Sequence, residues 1–514
     1  MTNSTPSARQ RPSRACRTIK LYVSITTVAA SLISSLAFAE VSSTEMLVRF
    51  RDPAVTATQS FSSALAGLRT DVDVVNAADG LVKFRFKNPE EAAAAKARFE
   101  SSNAVLSVAP NALYRPQIRY TFSHVERALK PSIHFHSLDE SGLASSNSSN
   151  PNNLPAINSA PATVNPGVDP KAAQDWALKN INQPSVEAVQ TLIRAPITAA
   201  VIDTGIDYNH EDLSGALWRS PAGDVGFDFA HNHNRPYDVV KFDVDGCLKD
   251  WSCMLGIDQS KYLVNPGHGT HCAGHVGAVA NNSIGIRGIS SNAATVMGLK
   301  FFYDEGDANP GQGDDAAAVK AIDYAIANGV KVISASWGGR MTPDEAEKSE
   351  LKTALIRAQK AGLIVVVAAG NDAVDQDTVS NPGYPARYDL DNLIVVAATD
   401  QNDQLASFSS FGNKSVHIGA PGVKILSTTV GNHYDDVVAK YTDPQGSPGE
   451  LDWDGTSMAT PIVAGAVSLL WSTHPDWDYR MVRDRILTTA RKSASLSGKV
   501  STGGILDVKA ALGI

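Results

Sequence analysis

The chain has 514 residues, 43% hydrophobic and 19% charged, with a net charge of −8. It is too long for one small domain and can bury a sizeable core. From residue 166 onward, 28 basic residues stand against 41 acidic ones, a net of −13. That balance excludes nucleic acid as a partner, because such affinity is built from Lys and Arg on phosphates. It suits a soluble protein that repels copies of itself.

In chain order, residues 1–39 carry five basic groups (Arg9, Arg11, Arg14, Arg17, Lys20) and no acidic ones. They lead into an apolar run, Leu21 to Ala39, ending in Ala37-Phe38-Ala39 before Glu40. The small residues at that end suit signal-peptidase cleavage. Ser and Thr dilute the run, so a removed export signal is favoured over a retained anchor. No membrane association is then expected after removal, and the location is extracellular or periplasmic. Ile462 to Trp471 is also apolar, but half the length needed to span a bilayer.

Residues 40–120 form a small unit. Met46-Leu47-Val48-Arg49-Phe50-Arg51 and Leu81-Val82-Lys83-Phe84-Arg85-Phe86 alternate as half-buried strands do. An Ala-rich stretch between Pro89 and Glu100 has helical character. Residues 121–165 read as a Ser/Asn/Pro-rich linker whose composition buries too little to order itself.

Residues 166–514 alternate strand and helix patterns. Ile197 to Ile202, Lys331 to Ala335, Leu363 to Ala368 and Leu393 to Ala397 are short, mostly apolar and rich in β-branched residues. Such runs suit strands buried on both faces of a parallel sheet. Helical stretches, including Ala316 to Asn328 and Glu345 to Ala361, lie between them. The fold class expected is α/β: a doubly wound, mostly parallel sheet, with a small α+β unit N-terminal to it. The chain stops soon after Ile505-Leu506-Asp507, so no C-terminal accessory domain is expected.

Of four cysteines, Cys16 would leave with the signal. Cys247 and Cys253 lie in one polar loop and are expected to close a small disulfide ring in an oxidising compartment. Cys272, next to His271, is expected to be a small packed apolar residue.

Three stretches carry chemistry. Ala200-Val201-Ile202-Asp203-Thr204-Gly205 puts an Asp at a strand end. Gly267-His268-Gly269-Thr270-His271-Cys272-Ala273-Gly274 puts a His where a helix should open. Gly455-Thr456-Ser457-Met458-Ala459-Thr460-Pro461 puts a Ser at the start of a long apolar helix. Alone, Asp203 reads as a turn cap, His268 as a loop histidine and Ser457 as an N-cap. Together they answer one need: serine attacks only when a base takes its proton, and the base needs a carboxylate to fix its tautomer.

These stretches, in the order Asp, His, Ser, resemble the signature motifs of the subtilisin-like serine peptidases over about 166–514. The resemblance implies a serine endopeptidase acting on protein or peptide substrates through an acyl-enzyme. Ser457 would be the nucleophile, His268 the general base and acid, and Asp203 the orienting carboxylate. His271 would be structural. Val367-Ala368-Ala369-Gly370-Asn371 resembles the family's oxyanion-hole stretch, so Asn371 would hold the developing negative charge beside the Ser457 backbone N–H. Ser336-Trp337-Gly338 resembles the segment that pairs with the substrate backbone as an added strand. The 40–120 unit resembles the family's inhibitory pro-domain. Val105 to Ala112 and the basic tail Arg115 to Arg119 would then lie in the cleft until a cut within 113–170.

The chemistry requires no cofactor. Structural calcium is common in the family, and Asp243-Val244-Asp245-Gly246 and Asp304-Glu305-Gly306-Asp307 offer oxygen donors. Neither completes an EF-hand spacing, and no ligand is assigned. One departure from the family pattern is an extra stretch, about Val239 to Val264, expected as a loop near the cleft. A silent binding protein on the same fold would lack at least one of Asp203, His268, Asn371 and Ser457. A lipase-like elbow needs a second Gly that Gly-Thr-Ser-Met-Ala lacks. No His-Glu-x-x-His is present for a metallopeptidase.

Overall fold

The computed structural model describes residues 41–53, 70–118, 150–158, 166–250, 262–442 and 448–514. The expected export segment lies outside these residues, as do Arg119 and most of the expected linker.

The N-terminal unit comprises β1 (Val41–Phe50), β2 (Thr70–Asn76), β3 (Leu81–Phe86), α1 (Pro89–Glu100) and β4 (Val105–Pro116). Its antiparallel sheet runs β4-β1-β3-β2. Asn88 opens α1 by accepting from Glu91 N at 2.8 Å, with Pro89 in the first turn. Alternation does what its period demands. Met46, Val48, Phe50, Val82, Phe84 and Phe86 face α1 and pack on Phe99.

The other face docks on the larger body, and Leu47 and Leu81 join that body's core. Its charged residues are therefore interface residues. Lys83 Nζ meets Asp314 at 3.0 Å, Arg49 pairs with Glu350, and Lys320 reaches Asp73 at 2.7 Å. Val105–Ala112 does not enter a cleft. It pairs with β1 inside the unit, and only the chain beyond it leaves.

Among the described residues the body's main sheet has nine strands. The central ones are β5 (Ile197–Asp203), β6 (Gly226–Asp228), β7 (Ala294–Lys300), β8 (Val332–Ala335), β9 (Ile364–Ala368), β10 (Leu393–Thr399) and β11 (Ile418–Pro421). All pair in parallel, in the order β11-β10-β9-β8-β5-β7-β6. Successive residues feed two cores. Val201, Val366 and Val396 face one, while Ile202, Val365 and Val395 face the other. This is the doubly covered parallel sheet that apolar, β-branched runs anticipate.

One cover holds α2 (His268–Gly277) and α6 (Thr456–Thr473); the other holds α3 (Asp315–Ala327) and α5 (Glu350–Lys360). Every residue of α6 is buried, which is why that helix lacks a polar stripe. The expected helix Glu345–Ala361 is two helices, α4 (Pro343–Lys348) and α5. Ser349 breaks them: its backbone is extended at φ −65° and ψ 136°, and its Oγ caps α5 through Leu351 N at 3.1 Å.

Two further segments differ from expectation. Residues 150–158 are held although their composition is linker-like, because the body supplies the partners. Tyr208 Oη donates to Pro155 O at 2.5 Å and Arg235 Nη1 to Pro151 O at 2.7 Å. The extra stretch near 239–264 contains a short helix, Val244–Lys249, and an antiparallel pair of short strands. It builds a satellite core from Val244, Cys247 and Leu263 against Ala439, Tyr441 and Leu451. Cys253 lies outside the described residues, and Cys272 is a free, buried cysteine.

Candidate active site

The sheet brings Asp203, at the end of β5, beneath His268, the first residue of α2. His268 Nδ1 and Asp203 Oδ1 are 2.7 Å apart, and both side chains are buried. The same carboxylate oxygen accepts from Thr204 N at 2.7 Å, which fixes its direction. Gly269 permits this approach, since a Cβ there would sit 2.1 Å from Gly205 O.

Neighbours with no local motif complete the mount. Asn265 Oδ1 accepts from Gly267 N at 2.9 Å and His268 N at 3.1 Å, which satisfies donors at the helix start. Asp238, also buried, accepts from Thr204 Oγ1, Asn265 Nδ2, Thr270 N and Thr270 Oγ1, all at 2.7–2.8 Å. It lashes the strand end carrying Asp203 to the helix start carrying His268. No role for Thr204, Asp238 or Asn265 is legible in the sequence. Each is polar and fully buried or nearly so, a property that pattern cannot reveal.

Electrostatics follow from the geometry. Burial works against a charged His268, but the Asp203 carboxylate outweighs it and lifts the pKa well above the usual 6.5. Burial also pushes the Cys272 thiol up, so it stays neutral beside His268 Nδ1, 3.9 Å away. His271 is a different kind of histidine. It stacks on Trp453 with ring centroids 4.0 Å apart and its Nε2 meets Ile425 O at 3.0 Å. Burial drives its pKa well down, so it is a neutral structural ring.

Ser457 lies in the first turn of α6, fully buried. Pro461 sits four residues on and brings no N–H, so the Ser457 carbonyl lacks its usual helical donor. Ser336 Oγ at 2.9 Å and Cys272 Sγ at 3.6 Å donate to it instead. The Ser457 hydroxyl donates to Ser336 O at 2.7 Å. His268 Nε2 is buried and makes no hydrogen bond to the protein. Proton transfer from Ser457 therefore requires its hydroxyl to leave Ser336 O for His268 Nε2.

Asn371 follows Gly370 at the end of β9. Its Oδ1 accepts from Thr456 N at 3.0 Å and Thr456 Oγ1 at 2.9 Å. A backbone N–H can pair only with the amide oxygen, so Nδ2 is left facing away, buried and unbonded. An amide donor fixed in this way, next to a helix N-terminus, is prepared to meet negative charge. Removing it as Asn371→Ala is expected to lower kcat about 10²–10³-fold with little change in KM, the usual effect of losing one oxyanion donor. Steady-state kinetics on a soluble peptide checks it.

The cleft holds the protein's own chain. Leu113 and Tyr114 pair with Asp314 and Gly313 on one side, and Arg115 and Pro116 with Gly338 and Trp337 on the other. Gln117 N donates to Ser336 O at 3.0 Å, and Ser457 N donates to Gln117 O at 3.1 Å. Ser336, Trp337 and Gly338 thus all lie along this segment, with the Trp337 indole anchored on Ile202 O at 2.8 Å. Gly455 leaves room for the strand, because a Cβ there would meet Gln117 O at 2.4 Å.

Several carboxylate oxygens of the two acidic loops have protein partners. Asp304 Oδ1 is taken by Lys300 Nζ at 2.8 Å, and Asp307 Oδ2 by His231 Nε2 at 2.9 Å. The other nitrogen of His231 sits 2.9 Å from Asp228 Oδ2. Burial opposes the charge on this ring, yet the two carboxylates raise its pKa to about 9. Asp243 caps the short helix through Gly246 N at 2.7 Å.

Comparison with known proteins gives a consistent outcome. The Subtilase family model matches residues 195–503. A subtilisin from Bacillus pumilus is 32% identical over 338 residues, covering 65% of this chain and 98% of that protein. Thermitase from Thermoactinomyces vulgaris is 36% identical over 273 residues, covering 53% and 74%. Subtilisin E from Bacillus subtilis (strain 168) is 33% identical over 315 residues, and the match spans 61% of this chain and 65% of that protein. Among solved structures, fervidolysin from Fervidobacterium pennivorans, described as a keratinolytic enzyme related to subtilisin, aligns with a TM-score of 0.63. That match is 22% identical in sequence and covers 93% of this chain and 62% of the other, a likeness of fold.

Proposed function

The chain belongs to the subtilase family of serine endopeptidases, and from that premise we propose that it is an exported enzyme made as a self-processing precursor. Ser457 attacks the peptide carbonyl. His268 takes the serine proton and then gives it to the leaving amine, and Asp203 holds the imidazole in the tautomer with Nε2 free to accept. The tetrahedral intermediate places its oxyanion between the Ser457 N–H and Asn371 Nδ2. Ser336, Trp337 and Gly338 receive the substrate as an added strand. The chemistry needs no cofactor. Residues 1–39 serve export, 40–120 act as the inhibitory pro-domain, 121–165 link it to the peptidase domain at 166–514, and Cys247 pairs with Cys253.

One observation carries the self-processing reading: the Gln117 carbonyl oxygen lies on the Ser457 N–H at 3.1 Å, where a scissile carbonyl belongs. The Gln117–Ile118 bond is then the first bond cut. Until the tail leaves, it excludes other substrates from the cleft. The test is to incubate purified precursor beside its Ser457→Ala variant, then measure intact masses and sequence the N-termini. Loss of the unit up to Gln117, with a new N-terminus at Ile118, is expected in the unmodified protein only. A cut that also occurs in the variant removes self-processing. The same samples tested on casein then separate an active enzyme processed by another peptidase from an inactive fold.

A further inference from the structure

We propose that the pocket taking the residue four positions before the cut bond selects tyrosine, through the buried carboxylate of Asp315. The inference rests on the peptidase reading above. With Gln117 before the cut bond, Tyr114 fills this pocket. It is fully buried, with its ring centroid 5.1 Å from that of Trp337. Its hydroxyl donates a hydrogen bond to Asp315 Oδ1. The second carboxylate oxygen accepts from Ser349 Oγ at 3.0 Å.

Trp337, Asp315 and Ser349 all belong to the peptidase body, so they stay when the tail leaves. An acid in the first turn of α3 could serve that helix alone, since its N-terminus favours negative charge. Yet the hydrogen bonds that Asp315 makes run to the Tyr114 hydroxyl and to Ser349, not to helix amides. Asp315 is fully buried, and burial raises its pKa to about 7 in spite of both bonds. Such a group discriminates in one direction. Tyrosine replaces the water that the open pocket would supply to the carboxylate. Phenylalanine expels that water and presents a ring C–H, leaving a buried acceptor without its donor.

The test compares two chromogenic peptides, Tyr-Arg-Pro-Gln and Phe-Arg-Pro-Gln p-nitroanilides, on the mature enzyme, with casein as the general substrate. At pH 9, where the Asp315 carboxyl is ionised, the tyrosine peptide is expected to have the higher kcat/KM by about tenfold or more, the worth of one hydrogen bond to a charged group. In Asp315→Leu that ratio should fall to near one or invert. Should that variant fail to fold, Asp315→Asn and the unmodified enzyme's own ratio still decide the matter. Equal kcat/KM for the two peptides in the unmodified enzyme overturns the inference, as does casein cleavage with neither peptide cut. If casein also survives, both readings fall, and the fault lies with the peptidase reading.

Discussion

Ser457→Ala is expected to reduce kcat about 10⁶-fold while leaving the fold intact, the loss seen on removing the nucleophile of subtilisin, a relative of this chain. In the proposed mechanism the reaction runs through that oxygen, and the other groups serve it. The Ser457 hydroxyl donates to Ser336 O at 2.7 Å, so its removal leaves that backbone carbonyl to the Gln117 N–H alone. The backbone N–H of residue 457 survives the change and still meets the Gln117 carbonyl. Binding should therefore persist, and the variant precursor should keep its tail seated. Residual turnover of about 10³–10⁴ over water is expected, because the oxyanion donors remain. The check is kcat on a chromogenic peptide, with circular dichroism to establish folding. A loss below tenfold would remove Ser457 from the chemistry.

Asp203→Asn is expected to cost about 10⁴-fold in kcat and to move the pH profile. An amide of the same shape can offer His268 Nδ1 a donor instead of an acceptor. The imidazole then carries its proton on Nε2, the atom that must be free to receive one. The pH effect has a definite sign. As the proposed general base, His268 works only when neutral, and Asp203 raises its pKa well above 6.5. Activity of the unmodified enzyme should thus be lost as pH falls through that raised value. Without the carboxylate, burial dominates and the imidazolium becomes harder to form. The acid limb of kcat/KM should then move to lower pH even as the maximum drops. An unmoved limb in Asp203→Asn would assign the titration to another group.

The legible and the hidden parts differ by sequence distance. The motif residues Asp203, His268 and Ser457 each sit in a short stretch whose local form was plain: a strand end, a helix start and an apolar helix. Strand runs such as Ile364–Ala368 were legible because burial on both faces leaves no polar positions. What pattern did not carry was pairing across the chain. Asp238 joins Thr204 and Thr270, which lie 34 and 32 residues from it in the chain. Thr456 aims Asn371 from 85 residues away, and nothing beside Asn371 announces which end of its amide faces the cleft. The charged face of β1 and β3 looked like a solvated surface, since alternation cannot tell water from the polar face of a partner. Ser349 was absorbed into one long helical reading because a serine that caps looks locally like a serine within a helix. The cleft position of Gln117 depends on strand register against Trp337 and Gly338, which no local feature of residues 113–118 encodes.

The most direct test of the account is to label the mature enzyme with a fluorophosphonate, which reacts only with an activated serine, and to locate the adduct by peptide mass mapping. One adduct per chain on Ser457 is predicted, lost in Asp203→Asn and suppressed in precursor whose tail is still seated. Casein cleavage by an enzyme whose Ser457 stays unmodified, or an adduct on any other residue, would contradict it.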